Sequence, residues 1–160
     1  MEINGLPVHP LIVHAAVVLI PIASILGLVH ALVPRWRWST RWPMVGFAVA
    51  ALAAVMVAYF SGRSLLDELA SNSPQFRTTA QSHQEQAEVL FYLTMVFMVV
   101  VLISAWALGG PSALASGRGG KPRHAPLIEW TMMSMLAIFS VALILMTFQT
   151  GVAGAQLVWG

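Results

Sequence analysis

The chain contains no cysteine. That removes disulfides, thiolate metal sites and thioether-attached haem. Charge is almost as scarce. Eight Lys or Arg and six Asp or Glu make up 9% of 160 residues, where a soluble domain carries about a quarter. A soluble fold that is 58% hydrophobic would have no means of covering its surface. There is no Ser-His-Asp arrangement, no phosphate-binding loop and no paired-carboxylate site, so the sequence leans away from an enzyme. Basic residues are also missing ahead of the first apolar run. "MEINGLPV" carries only Glu2, so that run does not read as a cleaved signal peptide.

What is present is four long uncharged stretches. Pro10–Val33 has 24 residues without a charge, Pro43–Phe60 has 18, Val89–Leu108 has 20 and Trp130–Gly151 has 22. As a helix the first would be roughly 36 Å long, enough for a hydrocarbon core of about 30 Å. The apolar-out, polar-in alternation of outer-membrane strands is absent. The expectation is all-α: one domain, residues 1–160, an integral membrane four-helix bundle with spans at about 10–33, 43–62, 84–108 and 127–150.

The few charges are distributed unevenly. Arg35, Arg37 and Arg41 fall between spans one and two, and Arg118, Lys121 and Arg123 between spans three and four. Five of the six acids (Glu2, Asp67, Glu68, Glu85 and Glu88) lie at the N-terminus or between spans two and three. The positive-inside rule then puts both termini outside and the arginine loops in the cytoplasm, at the bacterial cytoplasmic (inner) membrane. The sequence pI of 9.7 reports topology and needs no nucleic-acid partner. Trp36, Trp38, Trp42 and Trp130 flank the inner ends, where indoles favour the interface.

The connectors differ in character. "GGPSALASGRGGKPRHAP" reads as a flexible inner loop. "SLLDEL" extends helix two as an amphipathic turn broken at Ser73-Pro74, and "TTAQSHQEQAE" starts helix three, with Ser82 as cap and Glu85 at its third position. Pro21 should kink helix one. Ala58, Ser61 and Gly62 permit close helix approach. Glu129 pairs with a loop arginine, and "TGVAGA" reads as a flexible stretch after helix four. Each half of the chain repeats one plan of outer histidine, span, basic turn and return span, without residue-level identity between the halves.

The histidines carry whatever chemistry there is. With Pro10 at the first helical position, His9 is extended at the interface and His14 lies one turn inside helix one. His83 stands at the mouth of helix three. These three fall in one outer layer, and an ionisable group within a span is a functional candidate by default. Two neutral imidazoles from facing helices suit a non-covalent haem b, with His14 and His83 as axial ligands and His9 as a supporting partner. The same residues, His14 and His83 with His9 and with Glu88 or Asp67, would alternatively hold copper or zinc. A third reading is a structural membrane subunit with all three histidines merely interfacial. His30 reads as an interfacial residue near Trp36 and the arginines, and His124 falls in the inner loop.

At "INGLPVHPLIVHAAVVLIPIA" the sequence resembles an uncharacterised family of bacterial four-helix membrane proteins with an opening of the form G-L-P-x-H-P-x-x-V-H. The resemblance continues in "SGRSLLDEL", at His83 and in "GAQLVWG", and so spans nearly the whole chain. His9, Pro10, His14 and His83 match the family's histidine motif; Gly154, Leu157 and Val158 match its tail. Ala15-Ala16 departs from the family's Phe-Pro, and many members run on to a further histidine past the point corresponding to Gly160. The resemblance implies an inner-membrane four-helix unit. Because some members stand beside or are fused to Rieske-type or cytochrome modules, it also implies a redox setting. The partners expected are the lipid bilayer, a redox protein and, as a homo-oligomer, further copies of the chain.

Overall fold

The computed structural model describes residues 2–3, 6–72, 74–108 and 126–159. A short antiparallel ribbon pairs β1 (Glu2–Ile3) with β2 (Leu6–Pro7) and leads directly into α1 (Val8–Leu32). A single 3-10 turn, Pro34–Trp36, then separates α1 from α2 (Arg37–Asn72). Two further helices follow, α3 (Pro74–Ala107) and α4 (Pro126–Trp159). All four are long and apolar enough to cross a membrane.

α2 ends at Asn72 and α3 begins at Pro74, so the boundary between them falls where the sequence puts it. Other boundaries move outward. α1 begins at Val8, so His9 is helical and not extended. α3 begins at Pro74, which places Ser82 inside the helix, where it caps nothing. The segment 37–42, expected as loop, is the first turns of α2, and α4 runs unbroken through the tail to Trp159. Pro21 and Pro43 both sit within continuous helices. The glycine-rich connector, with Arg118, Lys121, Arg123 and His124, lies outside the described residues.

Packing contacts run α1–α2, α2–α3, α3–α4 and α4–α1, so α1 and α3 stand on one diagonal of a square bundle. The buried stripes recur at alternating steps of three and four, the spacing of a left-handed coiled seam. In α1 the stripe is Ala16, Ile20, Ala23, Gly27 and His30; in α3 it is Leu90, Thr94, Phe97, Val101 and Ser104. The two match position by position at an offset of 74 residues, the offset that also relates His9 to His83. In α2 the stripe is Met44, Ala48, Ala51, Val55 and Ala58; in α4 it is Leu136, Ser140, Leu143, Thr147 and Thr150. These match at 92 residues, the offset relating Gly62 to Gly154. The chain is thus built from two hairpins on one plan.

Side-chain volumes compensate between the halves. Ala23 corresponds to Phe97 and Ala51 to Leu143, small in the first hairpin and large in the second. Small residues let helices approach: a Cβ on Gly27 would stand 2.6 Å from the Ser140 hydroxyl. Large apolar side chains face outward instead, among them Phe148, 73% exposed, and Ile138, 66%. An apolar exterior of this kind belongs against lipid.

Candidate functional site: paired histidines at one end of the bundle

His9 projects from the first turn of α1 onto α2. Its Nδ1–H donates to the Ala58 carbonyl at 2.8 Å. The Cε1–Nδ1 edge of the ring abuts Gly62, where a Cβ would sit 2.8 Å from Cε1 and 2.9 Å from Nδ1. Ala58 and Gly62 are one turn apart, so a carbonyl and a missing side chain together form the seat. The small residues expected to permit close helix approach at Ala58–Gly62 instead seat an imidazole.

His83 repeats the arrangement in the second hairpin. It projects from α3 onto α4, where a Cβ on Gly154 would stand 3.0 Å from its Cε1 and 3.4 Å from Nδ1. The Thr150 carbonyl, again one turn before the glycine, lies within interaction range of the ring. Nδ1 is buried without a well-formed hydrogen bond. His83 is also within electrostatic range of His9. Gln86, one turn along α3, adds a buried side-chain oxygen without a partner.

His14 is not brought to the other two. Its ring is exposed, and its Nδ1–H donates to the Pro10 carbonyl of its own helix at 2.6 Å. Since α1 starts at Val8, His9 and His14 are both helical, and five residues turn them about 140° apart. His9 lies seven residues before Ala16 and therefore on the inward stripe; His14 does not. Counting heptads back from the apolar run would have separated them in the sequence alone. Among the described residues no group of three or more His, Asp or Glu could hold a metal ion, so Glu88 and Asp67 do not complete a site.

The opposite end holds a second polar cluster. His30 is fully buried, with the arginines as its neighbours as expected. Its Nδ1 meets Thr40 Oγ1 at 3.0 Å, and that hydroxyl donates to the Trp36 carbonyl at 2.9 Å. With the hydroxyl proton committed, His30 Nδ1–H is the donor. Arg37 joins α1 to α4: Nε donates to the His30 carbonyl at 3.2 Å, and Nη1 pairs with Glu129 at 2.6 Å. The expected pairing of Glu129 with a nearby arginine is therefore present.

No protein-family model, curated protein or solved structure matches the chain.

Proposed function

We propose that the protein is a multi-pass subunit of the bacterial cytoplasmic membrane that holds a b-type haem between His9 and His83 and passes electrons to a redox partner. One observation carries the reading: each imidazole rests on a glycine with the carbonyl one turn before it close by, hydrogen-bonded for His9 and without a formed bond for His83. Holding one edge of an imidazole at a backbone carbonyl fixes the ring and leaves the other nitrogen for a ligand, as histidines that bind metals are held. Two-fold-related imidazoles suit a haem, because the porphyrin brings four of the six donors and the protein need supply only two. Copper or zinc held by protein side chains alone calls for three or four, and a third donor is not found among the described residues. When bound, haem would supply one-electron chemistry. The chain's own contribution is to hold both rings in place and to exclude water with the surrounding apolar helices.

The charge distribution supports an orientation with the histidine end outside and the arginine end in the cytoplasm. The test is an absorbance spectrum of detergent-extracted protein, before and after haem addition, with metal analysis of the same sample. The reading expects a Soret band and a sharp reduced α-band at up to one haem per chain. Stoichiometric copper or zinc without porphyrin would replace it with a metal-handling role. A colourless, metal-free protein that leaves added haem unperturbed would leave a structural subunit.

A further inference from the structure

The arginine end contains more hydrogen-bonding capacity than the chain uses. Arg37 spends Nε on the His30 carbonyl and Nη1 on Glu129, but Nη2 is buried with no partner among the described residues. Arg41, one turn further along α2, has a buried Nε with no hydrogen-bond partner among the described residues, and its guanidinium carbon lies 5.2 Å from the centre of the Trp42 ring. Behind them, His30 is fully buried within electrostatic range of both arginines, with its proton on Nδ1 and no hydrogen to offer from Nε2. Leaving a buried donor on a charged group unsatisfied is among the costlier arrangements a protein can hold. Two such donors on successive turns of one helix call for an acceptor.

We propose that Arg37 Nη2–H and Arg41 Nε–H form an oxyanion site that takes the phosphodiester of an anionic lipid headgroup. Charge sets the class. Glu129 neutralises one of the two guanidinium charges, and the single positive charge left matches a phosphodiester, which carries one negative charge. Free phosphate and phosphomonoesters carry closer to two. Location sets the source. Trp36, Trp38 and Trp42 are all more than half exposed around the same turns, and exposed indoles mark the headgroup layer. Basic pockets between membrane helices are known to accept lipid phosphates at this depth.

The purified full-length protein is tested for lipid retention by native mass spectrometry and for thermal protection by phosphatidylglycerol, phosphatidylcholine or inorganic phosphate. The variants are Arg41→Gln and, with the same loss of charge, Arg35→Gln, whose guanidinium is exposed. Wild type and Arg35→Gln should retain phosphatidylglycerol at least threefold over phosphatidylcholine, and Arg41→Gln should lose that preference. Protection by millimolar phosphate in wild type but not in Arg41→Gln would keep the oxyanion site and make its occupant a free anion. If Arg41→Gln does not fold, Arg41→Lys, which keeps the charge but has no Nε donor, should lose the preference in its place. Equal retention of both lipids by wild type with no effect of phosphate, or equal loss in Arg35→Gln and Arg41→Gln, overturns the proposal.

Discussion

At the scale of single residues, the two histidine seats depend on what glycine omits. A methyl at Gly62 would stand 2.8 Å from the His9 ring, and one at Gly154 would stand 3.0 Å from His83. Because the ring abuts helix backbone, it has to leave its seat, and Gly62→Ala should break the bond to the Ala58 carbonyl. We expect Gly62→Ala and Gly154→Ala each to cost about 1–3 kcal/mol, the usual range for overpacking a well-filled site. Gly46→Ala is the control, since nothing lies within 4 Å of its added methyl. It should be neutral or slightly stabilising, as glycine-to-alanine is at open helical positions. Unfolding in a single detergent measures all three, and a Gly62→Ala protein as stable as Gly46→Ala would contradict the packing described here. At the other end, Glu129→Gln leaves Arg37 without its carboxylate at 11% side-chain exposure. The expected loss is about 1–3 kcal/mol, read from the same melts, because a partly buried charge is left less well paired.

At the scale of elements, the long uncharged runs were legible and their ends were not. Apolar length marks a span whatever its partners, whereas helix ends depend on tertiary contacts. Pro10 invited a start at the first helical position, but the helix begins at Val8, and those two residues decide which histidine faces inward. Ser82 and Glu85 have the spacing of a cap, yet α3 runs through them because Pro74 starts the helix earlier. The shared plan of the two hairpins was visible only as an outline. Its matched positions pair unlike residues, such as Ile20 with Thr94 and His30 with Ser104, since each fills complementary space rather than the same space. Among the matched positions, identity survives where geometry is strictest, at His9 with His83 and Gly62 with Gly154. The absence of cysteine allows a direct test of helix direction. Ser39→Cys and Ser71→Cys, both at exposed positions at opposite ends of α2, should react with a membrane-impermeant maleimide from opposite sides. The positive-inside distribution expects position 71 to label from outside in intact cells and position 39 only after permeabilisation. Labelling of position 39 from outside would reverse the topology.

At the scale of the whole molecule, the bundle is polar at its two ends and apolar around its outer surface. One end gathers paired imidazoles and most of the acidic side chains; the other gathers arginines, indoles and a buried histidine. Four helices hold this arrangement with alanine, glycine and serine at their contacts and large side chains turned outward, as expected where packing rather than water exclusion brings helices together. In the proposed function His9 and His83, and not His14, form the working pair. The most direct test is a haem titration followed by difference spectroscopy on wild type and on His9→Ala, His83→Ala and His14→Ala, each checked for folding by gel filtration. Wild type and His14→Ala should give the same bis-imidazole spectrum with affinities within about threefold, while His9→Ala and His83→Ala should lose that spectrum or bind at least tenfold more weakly. Loss in His14→Ala with retention in His9→Ala would contradict it.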